Sequence, residues 1–183
     1  AIGYTMVYGI LRLINFAHGD VFMVAGLMMV YLSAALPLYL AVPVVALLTV
    51  ALGFVIEKIA YKPLRSAPRM SVMISAIGVS YLLQNLALYV TGGLNKTYPT
   101  IPWISDQVDL FGATTKRVTL ITPVLTIILV ILLVQLINHT KVGMAMRAVA
   151  KDFETSQLMG IKINNIISVT FIIGSFLAAV GSM

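Results

Sequence analysis

The stretch "VTLITPVLTIILVILLVQLI" (residues 118–137) is the clearest indication of the fold class, because it has the length and composition of a membrane-spanning helix. A spanning helix needs about 20 mostly apolar residues, and this stretch contains no charged side chain. The rest of the chain is similar: 60% of its 183 residues are hydrophobic, only 10% are charged, and the mean hydropathy is +1.02. A soluble domain carries about 25% charged residues. The sequence therefore predicts an all-α, polytopic transmembrane helical bundle.

About six hydrophobic segments follow from this pattern. They are residues 1–14, 21–36, 43–60, 72–90, 118–137 and 163–180. The first is too short to span a membrane alone. Pro37 and Pro43 are expected to bound a tight turn between two antiparallel helices, because proline interrupts a helix. Since both chain ends fall inside apolar runs, we expect residues 1–183 to be a single transmembrane domain from a longer protein.

The basic residues gather in two links between apolar runs. They are Lys58, Lys62, Arg65 and Arg69 around the first link, and Lys141, Arg147, Lys151 and Lys162 in the second. The positive-inside rule places both links in the cytoplasm, and residues 138–163 then form a cytoplasmic segment. Residues 91–117 are expected outside, as a loop folded onto the membrane interface. Charge confined to loops argues against nucleic acid as a partner, despite the net charge of +6.

Catalytic and cofactor chemistry finds little support in the residues. Cysteine is absent, which excludes disulfides and cysteine-based zinc sites. The stretch "TGGLNKT" (residues 91–97) is not a phosphate-binding loop, because Asn95 stands where that motif requires glycine. We therefore predict no catalytic residues, no metal site, no cofactor and no ATP site in this chain.

Three polar residues stand close together in "LINFAHGDVFMVAG" (residues 13–26), within otherwise apolar sequence. They are Asn15, His18 and Asp20. One regular helix does not gather all three on a face, but a helix broken near Gly19 could turn them inward. Burying a carboxylate within a bilayer costs about 2.5–3.5 kcal/mol on insertion scales, so Asp20 is expected to be paired.

Two interpretations of these polar residues stay open. In one, residues 15–20 form a cytoplasmic turn or a structural polar network. In the other, the same side chains take a direct part in a translocation path. Pairing of Asp20 with Arg12 or His18 is compatible with both.

The second informative segment is "KVGMAMRAVAKDFETSQLMGIKINN" (residues 141–165). It is too polar to span a membrane. One helical face carries apolar side chains, namely Val142, Ala145 or Met146, Val149 and Phe153. The other carries Arg147, Lys151 and Glu154, and Lys151 and Glu154 are spaced to pair. The segment is either an interfacial helix on the inner leaflet or a docking helix for a cytoplasmic partner.

Three stretches together carry a resemblance to a known family. They are "GYTMVYGILRLINFAHGDVFMVAG", "YKPLR" and "GMAMRAVAKDFETSQLMGI". They resemble the permease subunits of bacterial branched-chain amino acid ABC importers. This resemblance implies a multi-pass protein of the bacterial inner membrane. It also implies as partners a second permease subunit, cytoplasmic ATP-binding subunits, a periplasmic substrate-binding protein and membrane lipid.

The resemblance also implies a docking site for the ATPase. Importer permeases carry a cytoplasmic Glu-Ala-Ala-x-x-x-Gly loop, and Glu154 and Gly160 match its spacing, with Thr155 and Ser156 in place of the two alanines. With Arg147 and Lys151, they form the expected ATPase-docking set. The chain would then be a transport subunit and not itself an enzyme. The alternative is a stand-alone secondary transporter or channel for a small polar solute, in which Asp20 and His18 would bind an ion or relay protons.

Overall fold

A computed structural model describes residues 2–12, 14–98, 107–110 and 113–183 of the chain. The described part is mainly helical. Its α-helices are α1 (Ile2–Leu11), α2 (Ala17–Ala35), α3 (Leu38–Ile56), α4 (Arg69–Thr91), α5 (Arg117–His139), α6 (Lys141–Lys151), α7 (Phe153–Leu158) and α8 (Ile163–Ser182). A π-helical turn (Glu57–Tyr61) and a 3₁₀ turn (Lys62–Leu64) follow α3 without a break.

Five helical segments in the described part are long and apolar enough to cross a membrane. They are Ala17–Ala35, Leu38–Leu64, Met70–Thr91, Arg117–His139 and Ile163–Ser182. The prediction of a polytopic helical bundle is confirmed. The first apolar run is the exception: α1 has only 10 residues, which is too short to span.

The predicted turn between Pro37 and Pro43 is wrong in its extent. The chain turns at Leu36 and Pro37, both extended, and α3 begins at Leu38 with Pro43 inside it. Proline at that position removes one helical hydrogen bond. Packing offsets this loss, because Ala41 and Val45 are fully buried in a core shared with α2.

The described chain divides into two units, residues 1–96 with 145–183, and residues 97–144. In the first unit, α8 packs against α1, α2 and α3. Its buried residues recur every three to four positions along one face. They are Ile163, Ile166, Ile167, Thr170, Phe171, Gly174, Ser175, Ala178 and Ala179. Small residues dominate the later turns, which allows close approach of neighbouring helices.

The second unit contains a β-hairpin and the helix α5. Strands β1 (Gln107–Leu110) and β2 (Ala113–Lys116) pair antiparallel, so part of the predicted loop 91–117 forms a hairpin that the sequence interpretation missed. Residues 99–106 and 111–112 of this expected loop lie outside the described residues. None of the residues of α5 is buried in the structure, which suits a helix surrounded by lipid.

Candidate functional site: a buried polar network and a basic cavity

The link between α1 and α2 breaks the first apolar run. α1 ends at Leu11, Arg12 adopts a left-handed conformation with φ of 51°, and α2 begins at Ala17. The expected break near Gly19 is therefore wrong in position, since Gly19 lies inside α2. The true break lies several residues earlier, and it places Asn15 in non-helical chain among the surrounding helices.

Asn15 is buried in this link and hydrogen-bonded to a distant helix. The Tyr61 hydroxyl donates to its Oδ1 at 2.7 Å, and its backbone oxygen accepts from the His18 N–H at 3.2 Å. The Tyr61 ring in turn packs on Phe171, with ring centroids 5.0 Å apart. Asn15 therefore ties the α1–α2 link to the end of α3, and Tyr61 extends that contact to α8.

Asp20 is buried, with 8% of its surface exposed, in the first turn of α2. Its partner is Gln84 of α4, whose Nε2 donates to Oδ1 at 3.0 Å and lies 3.0 Å from the Ser80 hydroxyl. The expected pairing with Arg12 or His18 is wrong. Arg12 is exposed, and the half-buried His18 packs beside Tyr4.

The three polar residues of this segment thus meet different partners. Two of them, Asn15 and His18, line a cavity of about 10 Å³ together with Ser175 of α8 and other residues. A space of that size holds at most a single water molecule. The network interpretation and the path interpretation both stay predictions.

Sequence reasoning missed the most buried charged residue described, Glu57. Only 1% of it is exposed, and it begins the π-helical turn at the end of α3. Its Oε1 accepts from the Arg65 guanidinium, and its Oε2 accepts from the Ser168 hydroxyl at 2.9 Å. Arg65 also donates to the Asn164 side chain. The sequence signal was a lone acid ending a long apolar run, with an arginine eight residues later.

The Glu57–Arg65 ion pair, through its hydrogen bonds to Ser168 and Asn164, connects the turns after α3 to the start of α8. A buried carboxylate is tolerated only when it is paired and hydrogen-bonded, and Glu57 has both kinds of partner. Burial lowers the pKa of Arg65, yet arginine starts so high that it stays charged. π-Helical turns often occur at functional sites, and here the turn places Glu57 toward α8.

A cavity of about 280 Å³ lies beside this network, within the first unit. Three cationic side chains line it: Arg12, Arg65 and Lys151. Its remaining lining is mostly apolar and aromatic, formed by Ile10, Tyr61, Ala67, Val72, Val149, Ala150, Phe153, Ile167 and Phe171. It therefore combines a concentration of positive charge with walls suited to hydrocarbon.

The predicted single docking helix is two helices. Asp152, with an extended backbone (φ −149°, ψ 115°), separates α6 from α7 and caps α7 by accepting from the N–H groups of Glu154 and Thr155. The Thr155 hydroxyl and these N–H bonds lower the pKa of Asp152. Because of this break, Lys151 and Glu154 do not share a helix, and the expected pair is absent from the ion pairs of the described residues.

The apolar face of the segment is also narrower than expected. Met146 and Val149 are buried, whereas Val142 and Phe153 are exposed. Arg147 and Glu154 are exposed on the polar side. The amphipathic character is thus confirmed for α6 and does not continue through Asp152.

Gly160 ends α7 in the left-handed conformation, with φ of 81°. The Ile161 N–H donates to the Ser156 oxygen at 3.1 Å, which is the long-range bond of a Schellman cap. A Cβ built here meets no atom within 4 Å, so the requirement for glycine is one of backbone conformation and not of space.

Comparison with known proteins adds independent information. Residues 1–183 match the family described as branched-chain amino acid transport system, permease component. Similar relatives are named high-affinity branched-chain amino acid transport system permease proteins. They are BraD of Pseudomonas aeruginosa (37% identical) and LivH of Salmonella typhimurium (35%) and of Escherichia coli K12 (34%). Each alignment covers 100% of this chain and 64% of the relative, so the chain spans just under two thirds of their length. No solved structure matches the chain.

Proposed function

The chain belongs to the family of branched-chain amino acid transport system permease components, and from this premise we propose that it is the membrane permease part of an ATP-driven importer. Family membership over the whole chain is the observation that carries the proposal. The substrate class is the branched-chain amino acids, as in the names of the relatives. The chain supplies a pathway and leaves ATP hydrolysis to a partner, so it is not itself an enzyme.

The proposal includes the location and the partners of the chain. We place it in the bacterial inner membrane, where the five apolar helices would span. A second permease would complete the pathway, a periplasmic binding protein would deliver substrate, and cytoplasmic ATP-binding subunits would drive transport. Asn15 and Asp20, buried between helices, would hold helices in register as the pathway opens and closes.

The orientation within the membrane rests on the positive-inside rule. Ser66 lies in the link between the 3₁₀ turn and α4, and Thr97 follows α4 at its opposite end; both are exposed. The chain has no native cysteine. Single cysteines at these positions should therefore report on sidedness with an impermeant maleimide. We expect Thr97→Cys to react in intact spheroplasts and Ser66→Cys to react only after permeabilisation, and the reverse pattern would overturn the orientation.

We further propose that residues 147–160 dock on the ATPase. The segment supports this role because it presents a polar edge and, next to Gly160, two largely exposed apolar side chains. Leu158 is 88% exposed and Met159 is 78% exposed. Such side chains are costly in water and suit insertion into a groove of a partner. The left-handed Gly160 would turn the chain sharply back toward α8 after this contact.

Replacement of Gly160 by valine tests the docking role. A β-branched residue at φ of 81° is strained, so the end of α7 should distort while the spanning helices insert normally. We expect the ATPase to co-purify at a strongly reduced level and its stimulation by loaded binding protein to fall in parallel.

Gly92→Val is the matched control for this experiment. Gly92 also has a positive φ, 63°, and also has open space around its Cβ position, but it ends α4 at the opposite end from Ser66. The Gly92→Val variant therefore introduces the same kind of backbone strain at a position outside the proposed ATPase contact. Equal ATPase recovery for the two variants would contradict docking at Gly160 and would favour a transporter that acts alone.

A further inference from the structure

The basic cavity is not used by the proposed transport mechanism. It lies where separate parts of the first unit meet: the α1–α2 link, the turns after α3, the end of α6 and the first half of α8. Tyr61 and Arg65 mark the end of one spanning segment, and Ile167 lies near the start of another. The cavity therefore lies at the level where membrane helices reach the polar surface.

The charge at the cavity is unbalanced. Of its three cations, Arg65 is neutralised by Glu57, whereas Arg12 and Lys151 have no acidic partner among the ion pairs of the described residues. The cavity therefore favours a ligand that brings negative charge and several acceptor oxygens.

The walls of the cavity restrict the ligand further. Val72, Val149 and Ile167 contribute aliphatic surface, and Phe153 and Phe171 contribute aromatic surface. A small inorganic anion would leave this apolar surface in contact with water. An amphiphile with an anionic head and a hydrocarbon part would satisfy both features, and phospholipids of the cytoplasmic leaflet have this form.

We propose that this cavity binds the phosphate headgroup of an anionic phospholipid. Arg12 and Lys151 bind the phosphate, and the glycerol and first methylenes of the lipid lie on the apolar walls. Because Lys151 ends α6, the bound lipid joins the docking segment to the spanning helices. This inference requires the membrane location but does not depend on the transported solute.

The test is lipid binding to the purified permease without its ATPase, so that failure of the docking proposal does not affect it. Native mass spectrometry gives the Kd of the first bound dioleoylphosphatidylglycerol, with dioleoylphosphatidylcholine as the zwitterionic probe. We expect preferential binding of phosphatidylglycerol. The double variant Arg12→Gln/Lys151→Gln should bind it about 25-fold more weakly, from roughly fivefold for each cation removed.

Lys62→Gln/Lys162→Gln is the matched control. Both lysines are exposed, neither lines the cavity, and the variant loses the same net charge. It should bind phosphatidylglycerol within about twofold of the parent if binding is local, because an exposed charge that does not contact the headgroup contributes little. Equal weakening in the two double variants would overturn the proposal, since it would mean diffuse adsorption of an acidic lipid.

Two further measurements separate the remaining explanations. The variant Arg12→Lys/Lys151→Arg keeps both charges and should bind phosphatidylglycerol like the parent; a loss as large as that of the glutamine variant would show that the effect is structural and would refute the site. Inorganic phosphate at millimolar concentration should not displace the lipid. Full displacement would identify the cavity as a site for soluble anions and would likewise refute the lipid proposal.

Discussion

The close contact between α3 and α8 allows a quantitative prediction at Gly53. A Cβ built on this residue would lie 1.8 Å from the Ser175 Oγ and 2.7 Å from the Ser175 Cβ. Rotation of the hydroxyl removes the first overlap but not the second. Ordinary contact begins at 3.4 Å, so the two helices would have to separate by about 0.7 Å even after that rotation.

The cost follows from this overlap. Overpacking of a tight core costs about 1–3 kcal/mol, while alanine recovers up to about 1 kcal/mol of helix propensity relative to glycine. The cost of the steric overlap should exceed the gain in helix propensity, because Gly53 and Ser175 both lie on buried helix faces. We expect Gly53→Ala to lower the free energy of unfolding by about 1–2 kcal/mol net. For a chain of this size, that change lowers Tm by roughly 2–8 °C.

The assay is thermal unfolding of the purified permease in detergent, with a compensating variant. Once Ser175→Gly is added, the nearest remaining atom is the Phe171 oxygen at 3.7 Å, an ordinary contact. The double variant should therefore be more stable than the sum of its single changes by at least about 1 kcal/mol. Gly78→Ala is the control, since nothing lies within 4 Å of that position in α4. Additive effects of Gly53→Ala and Ser175→Gly would refute the packing argument.

Two further predictions concern the buried carboxylates. Glu57→Gln should destabilise the permease by about 3 kcal/mol, at the lower end of the range for a broken buried ion pair, because the Arg65 side chain is 20% exposed and retains some solvation. Thermal unfolding measures this loss of stability, and Glu154→Gln, at an exposed glutamate, is the control. Equal losses in the two variants would contradict the importance of burial. Asp20→Ala should cost less, about 1–3 kcal/mol, because Gln84 keeps Ser80 as a partner. Asp20→Asn should retain most of that stability, and a loss as large as that of alanine would contradict the hydrogen-bond assignment.

The membrane-spanning segments are predictable from local composition alone. Lipid offers no hydrogen-bond partners, so a long apolar run must close its own backbone bonds as a helix, wherever its neighbours lie. That requirement is local, and residues 118–137 show it most clearly, since α5 covers them completely. The left-handed Gly160 was predictable for a similar reason, because a helix end needs a residue without a Cβ penalty.

The pairing of the polar side chains, in contrast, depends on how the helices pack. Asp20 meets Gln84, 64 positions away, and Glu57 meets Ser168, 111 positions away. Composition and periodicity show that such residues need partners, but the choice of partner depends on which helix faces adjoin. Those faces are set by the close packing of small residues such as Gly53 and Ser175. The basic cavity has the same origin, because its three cations come from separate segments that only the packed helices bring together.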